Sequence, residues 1–338
     1  MASIIGKNII VSIFGESHSP AIGVTIEGIP PGINVNMKEL NEFLERRAPG
    51  RSKLATGRYE SDEPRFVSGI LNGVTCGTPL TALIYNKDSR REDYDIVSEK
   101  PRPGHADYTA HIKYKGYEDY SGGGHNSGRL TAPLCVAGGI LKQALINIGI
   151  KINADIVEIG GHKSNFDESI EEASNNGNSV GGIVRCTISG VPTGIGEPMF
   201  DGIENNISKA VFGIPGVKGI EFGAGFESAR LTGSEMNDEF YYDDNGSVFT
   251  KTNNAGGILG GITSGMDIVY NVAIKPTPSI SIRQDTIEYK GKTNSTIEVK
   301  GRHDPCIVPR VLPCIESASA IVIADFMRDR LGKCEGTL

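Results

Sequence analysis

Ile9-Ile10-Val11-Ser12-Ile13-Phe14-Gly15-Glu16-Ser17-His18-Ser19-Pro20-Ala21-Ile22-Gly23-Val24-Thr25-Ile26-Glu27-Gly28-Ile29 decides the fold class of this chain. Its two apolar runs, Ile9 to Phe14 and Ala21 to Ile29, read as strands flanking the His18 loop, and Pro30-Pro31-Gly32 then turns the backbone. Next, Asn36 and Glu39 form a capping pair that opens a helix with Leu40, Phe43 and Leu44 on its apolar face. That helix runs out through Arg46-Arg47 before Pro49-Gly50, which presents positive charge at a loop. Phe66 to Leu71 and Leu80 to Tyr85 are further expected strands, with Asp88 to Asp95 as a charged surface loop.

Beyond Gly122-Gly123-Gly124, the apolar spacing of Thr131 to Leu145 predicts a buried helix with Gly149 past its end, and Ile150 to Ile159 alternates like a strand. Asp201 with Glu204 is expected to cap a helix carrying Ile203, Ile207, Ala210 and Val211 on one face, and Ile315 to Leu331 to close the chain as a helix. Residues 164–180 are polar and acidic and read as a surface excursion. Hairpin-like strands mixed with scattered helices favour α+β over a doubly wound sheet, and residues 1–338 read as a single domain.

With a net charge of −7, the overall field favours neither nucleic acid nor an anionic membrane, so any anionic ligand must be held by local basic clusters. The six cysteines have no Cys-x-x-Cys pair and no repeated spacing, which points to reduced thiols, with neither a zinc site nor a disulfide framework. Lys7 interrupts the apolar run Ile4 to Phe14 and no cleavage site follows, and no run reaches the roughly 18 apolar residues of a spanning helix. A cytoplasmic location is expected. The 44 glycines signal many tight turns and close backbone approaches.

Three histidines stand beside turn-forming residues: His18 in Gly-Glu-Ser-His, His105 in Arg-Pro-Gly-His-Ala-Asp, and His125 after the triple glycine. Loops at the ends of rigid elements are where catalytic groups are commonly presented. The triple glycine, entering a helix start, offers backbone N–H groups that suit a phosphate. A second glycine-rich loop, Asn253 to Ile262, and the turn Gly301-Arg302-His303-Asp304-Pro305-Cys306 share this character. Each feature also has a plain structural role: a cap or turn for the histidines, a turn for Asp304, and a solvated helix end for Arg46, Arg47 and Arg51.

Gly15 to His18, Arg102 to Tyr108, the Asn253 to Ile262 loop, Lys275-Pro276-Thr277 and Arg302 to Cys306 occur in this order, and together they closely resemble the chorismate synthase family. The resemblance runs from about Gly6 to Leu331 and is weakest at Ser164 to Ser179. It implies a β-α-β sandwich of antiparallel sheets and helices, and a homotetramer. It also implies an anti-1,4 elimination of phosphate from 5-enolpyruvylshikimate 3-phosphate to give chorismate, with reduced FMN required and no net redox change. Members differ in whether NADPH reduces their own flavin, and the residues here leave that open.

By the same resemblance, His18 protonates the departing phosphate, His105 stabilises the anionic reduced flavin, and Asp304 helps the flavin take up the substrate proton, with Ser17 and Ser127 as relay hydroxyls. An imidazole with a pKa near 6.5 beside a polyanion suits a general acid. Arg47, Lys53, Arg102, Arg129 and Arg302 match the substrate site, where planar guanidiniums grip carboxylate or phosphate in two places. His125, Asn126, Ser127, Gly260, Lys275, Pro276, Thr277, Pro278, Ser279 and Arg302 match the flavin site. No metal is implied.

Several residues depart from the family pattern: Lys53 and His125 stand where arginine is usual, Pro278 replaces a small hydroxyl residue, and Ser19 replaces a glycine. Pro278 lacks a backbone donor, a loss of about 0.5–1.5 kcal/mol if that donor bonds the cofactor. Two rival readings remain at this stage. A flavin oxidoreductase would need a nicotinamide site, and no strand–Gly-x-Gly-x-x-Gly–helix unit is evident. A non-catalytic binder of a phosphorylated metabolite would need the arginines but not His18, His105 and Asp304.

Overall fold

The computed structural model describes residues 3–48, 62–86, 95–299 and 304–331. Lys53, Arg51, Arg302, His303 and the loop at 87–94 lie outside the described residues. The two apolar runs of the opening stretch form the strands Ile10–Gly15 and Ala21–Glu27 of a five-stranded antiparallel sheet. Its order is Ile4–Ile5, Ile10–Gly15, Ala21–Glu27, Leu80–Tyr85, Arg65–Ser68. Ile22 pairs with Ile84, Val24 with Ala82 and Ile26 with Leu80, all buried, so alternate residues of the two strands form one apolar face. The expected strand at Phe66 to Leu71 is broken at Gly69 into two pieces, because that glycine takes φ +85°.

A second antiparallel sheet has the order Val217–Phe222, Ile268–Ile274, Gly182–Ser189, Lys151–Ile159. Val184, Cys186 and Ile188 face Val272, Tyr270 and Ile268 across it, again all buried. Between the sheets lie the helices Thr131–Ile146 and Val308–Phe326, which pack on each other, the first also on the five-stranded sheet and the second on the four-stranded one. Both are apolar nearly all round, as a helix enclosed between two layers must be. A Cβ on Gly138 would lie 2.1 Å from Ser317 Cβ, so the glycine lets the two helices approach. One hydrophobic cluster spans both sheets and the helices, and each fully buried Val or Ile side chain in it is worth about 1.5–3 kcal/mol over exposure. The α+β expectation is met by this β-α-β arrangement.

Asn36 caps the helix Met37–Arg47 as expected: its Oδ1 accepts from Lys38 N and Glu39 N at 3.1 and 3.3 Å. Other expectations need correction. Gly202, not Asp201, is the N-cap of the helix Ile203–Phe212, and Asp201 instead pairs with Lys7 at 2.7 Å. The last long helix starts at Val308, earlier than expected, because a proline in its first turn lacks only an N–H that would be unbonded anyway. The polar 164–180 stretch contains a helix, Phe166–Asn175, seated by Ile170 and Ala173 three residues apart. Its exit is tied to the interior, with Ser179 Oγ donating to Thr277 O at 2.7 Å.

Candidate active site

The triple glycine is the floor of the site. Gly122, Gly123 and Gly124 have φ of +60°, +86° and +53°, a succession of left-handed residues that side chains resist. They lie within the 3₁₀ segment Ser121–Asn126, and a second 3₁₀ turn, Gly128–Leu130, separates them from the helix at Thr131, so the loop does not feed a helix start directly as expected. What approaches Gly122 and Gly123 is imidazole, while Asp119 O fills the space at Gly124. A Cβ on Gly122 would lie 2.4 Å from His18 Cε1 and 2.8 Å from Ser17 Oγ, and one on Gly123 would lie 2.9 Å from His105 Cε1. Ser17 N also donates to Gly124 O at 3.1 Å, which fixes the first histidine loop to the turn. The structure therefore brings His18, His105 and Ser17 to neighbouring residues of one turn, from segments some 87 positions apart (105 − 18).

His105 is held by its own motif. Arg102 Nε donates to Asp107 Oδ2 at 2.8 Å, and Asp107 Oδ1 lies 2.5 Å from His105 Nδ1. A carboxylate at Nδ1 assigns the ring proton to that nitrogen and turns the Nε2 edge toward Gly123. Burial alone would raise the Asp107 carboxyl, but hydrogen bonds from Arg102 and His105 hold it well below the usual carboxylate range. Arg102 Nη1 also donates to Ser279 Oγ at 3.1 Å, joining this motif to the Lys275–Ser279 segment.

Between that segment and the glycine turn lies a cavity of about 890 Å³. His105, His125, Asn126, Ser127 and the whole run Lys275-Pro276-Thr277-Pro278-Ser279 line it. Lys209 and Lys218 join Lys275 on its wall, while Leu130, Leu134, Ile307 and Ile321 supply apolar surface. Burial, and then the neighbouring Lys218, push the Lys275 ammonium below its ordinary pKa. Thr277 Oγ1 is buried there with no hydrogen-bond partner among the described residues. An apolar floor, three ammonium groups and an unsatisfied hydroxyl fit a flat heterocycle carrying a phosphate.

Two expected cofactor residues behave differently. His125 has both nitrogens engaged inside the protein, Nδ1 with Gly15 O at 2.8 Å and Nε2 with Ser3 Oγ at 2.6 Å, so it offers the cavity a ring face. Gly260 is exposed on the hairpin of Ile258–Leu259 and Ile262–Thr263 and is not among the residues lining the cavity. Ser127 Oγ accepts from Arg129 N at 3.3 Å, a capping bond for the second 3₁₀ turn.

The arginines form a buried ionic chain. Asp62 sits between Arg47 and Arg129: Arg47 Nε donates to its Oδ2 at 2.8 Å and Arg129 Nη1 pairs with its Oδ1. Arg129 Nε reaches Asn86 Oδ1 at 3.1 Å, and Asn86 Nδ2 donates to Ser19 O at 2.7 Å, in the His18 loop. At the other end, Arg310 Nε donates to Arg47 O at 2.9 Å while its Nη1 pairs with Asp304. Burial raises the Asp304 carboxyl despite the Arg310 charge, and its Oδ1 has no hydrogen-bond partner among the described residues. The chain thus links Asp304 to the backbone of the His18 loop through Arg310, Arg47, Asp62, Arg129 and Asn86. Reading the motifs alone assigns nothing to Asp62, Asn86, Asp107 or Arg310. Of these only Asp107 carries a sequence signal, since it closes the Arg102 to Asp107 motif.

Buried guanidiniums, two imidazoles on one glycine turn and a lysine-walled cavity define an enzyme site for an anionic small molecule. The chorismate synthase family model matches residues 9–328. Chorismate synthases of Thermococcus kodakarensis and Pyrococcus abyssi are 45% and 46% identical to the chain, covering 96% and 95% of it and 97% and 96% of their own lengths. A crystal structure of a chorismate synthase superposes with a TM-score of 0.76 at 27% identity, covering 97% of this chain and 94% of that one. The chain belongs to the chorismate synthase family, carbon–oxygen lyases of the shikimate pathway.

Proposed function

We propose that the cavity holds reduced FMN and that the chain eliminates phosphate from 5-enolpyruvylshikimate 3-phosphate to give chorismate. The observation that carries this reading is the seating of His18 and His105 on adjacent glycines beside the lysine-walled cavity. When bound, reduced FMN supplies the electron density that the 1,4-elimination draws on and regains, with no net redox change. The chain's residues bind, orient and move protons. His18 gives a proton to the departing phosphate, with Ser17 against the same glycine. His105, fixed by Asp107 through Nδ1, stabilises the anionic form of the reduced cofactor. Asp304, a buried carboxyl with raised affinity for a proton, helps manage the proton that leaves the substrate carbon, and Ser127 is a relay hydroxyl at the cavity wall.

Lys275 with Pro276, Thr277, Pro278 and Ser279, together with His125 and Asn126, forms the cofactor set, and Arg302 serves both sites. Arg47, Lys53, Arg102 and Arg129 supply the cationic grip on the substrate. Anaerobic mixing of the protein with chemically reduced FMN and substrate should yield chorismate and phosphate in equal amounts. Phosphate without chorismate would end the reading. NADPH serves as the reductant if bleaching of the flavin band follows its anaerobic addition, and an unchanged band assigns reduction to an outside partner.

We also infer one unit over 1–338, a homotetramer, and a cytoplasmic setting, with neither nucleic acid nor membrane as partner. The exposed aromatic side chains of Phe200, Phe226, Phe240 and Tyr242 favour subunit contact. Among the described residues no helix is long and apolar enough to cross a membrane. Sedimentation should report about four times the 36.0 kDa chain mass.

A further inference from the structure

We infer that Asp62 is a positioning residue for substrate binding, acting through Arg129 and Arg47; this rests on the substrate role proposed above for those arginines. Its side chain is fully buried, and its backbone adopts φ +50°. Asp62 divides its two carboxylate oxygens between two guanidiniums that are themselves 3% and 6% exposed. Without it, two buried guanidiniums would lose the carboxylate they share. The carboxylate therefore sets the distance and plane of both forks.

What the cluster touches gives the fork geometry a functional direction. Arg47 Nη1 reaches Thr131 Oγ1 at 3.3 Å, and both Thr131 and the adjoining Ser127 and Gly128 line the large cavity. Arg129 Nε reaches Asn86, which holds Ser19 O and Glu16 O on either side of His18. One carboxylate thereby ties the wall of the cavity to the loop that carries the proposed general acid. A displacement of Asp62 moves Arg129 relative to both.

The test uses the FMN-loaded protein with Asp62→Asn. Asparagine keeps the shape of the side chain and tolerates the left-handed backbone, so the charge is the principal change. Calorimetric titration with 5-enolpyruvylshikimate 3-phosphate should show Kd raised on the order of 10²-fold, the scale of misplaced binding groups. FMN affinity should be unchanged, and the fold-rise in Kd should exceed any fold-fall in turnover at saturating substrate. Asp62→Glu, which keeps the charge, should recover part of the lost affinity.

A Kd equal to that of wild type, with only a lower Tm, would make Asp62 a structural ion pair and overturn the inference. Tighter binding in Asp62→Asn would also overturn it, because the carboxylate would then compete with substrate for the arginines. Asp62→Ser carries the same expectations should the amide variant not fold. Because Kd is read separately from turnover, wild-type protein that binds substrate without forming chorismate ends the proposed activity and leaves the Asp62 comparison decisive.

Discussion

Two glycine-rich loops, Gly122-Gly123-Gly124 and the Asn253 to Ile262 segment, look alike as sequence and do different things in the fold. At the first, the space denied to a Cβ is occupied by the imidazoles of His18 and His105 at Gly122 and Gly123, and by Asp119 O at Gly124. At the second it is occupied by backbone: Gly223 N at 2.5 Å from a Cβ on Gly256, Asp267 O at 2.4 Å from one on Gly257, and Glu197 O at 2.2 Å from one on Gly261. The first loop brings the backbone close so that ionisable rings can sit on it. The second brings backbone against backbone and shapes a hairpin. Glycine content alone reports close approach, and only the identity of the approaching atoms separates a reaction site from a turn.

The comparison predicts where substitutions strike chemistry and where they strike stability. His18→Ala is expected to have the largest catalytic effect, a loss of about 10²–10⁴ in turnover with FMN binding and Tm retained. Unchanged turnover would make the first loop structural like the second and reopen the reading of a binding protein. Asp304→Ala is expected at the lower end of that range, about 10² in turnover, with substrate Kd held. A collapse of substrate affinity instead would make Asp304 an organiser of Arg310 and, through it, of Arg47.

Gly257→Ala sharpens the contrast from the other side. Its φ of +82° and the Asp267 carbonyl should cost about 1–3 kcal/mol in chemical denaturation, with turnover per folded molecule preserved. The smallest effect expected is that of Asp107→Asn on the pH dependence of stability. Asp107 has a depressed native pKa, so its stabilising contribution is complete above the unfolded value near 4 and fades as pH falls through the native one. The variant should melt lower than wild type at pH 7, and the gap should begin to narrow as pH falls below about 4 and keep narrowing toward the native value. A constant gap down to the lowest accessible pH would contradict the assigned pairing.

Much of the frame is legible from local pattern. The Asn36 cap, the Ala21 and Leu80 strands and the buried helix after Thr131 follow from periodicity and capping, which depend on neighbours a few residues apart. The helix at 166–175 is hidden because its apolar face amounts to little more than Ile170 and Ala173 in a polar stretch. Asp62 is hidden for a different reason. Ser61-Asp62-Glu63-Pro64 has the composition of a turn, and the partners that give the aspartate its role lie 15 and 67 positions away. Gly260 shows the converse: a glycine in a matching motif that faces open space on its hairpin.

Gly122→Ala measured beside Gly257→Ala tests the central claim most directly, with phosphate release followed in a single anaerobic turnover on FMN-loaded protein. The account predicts that the Gly122 variant, folded by its Tm and far-ultraviolet spectrum, releases phosphate far more slowly than wild type, while the Gly257 variant releases it at the wild-type rate below its lowered Tm. Wild-type release from the Gly122 variant would contradict the seating of His18 on that turn as the source of the proton.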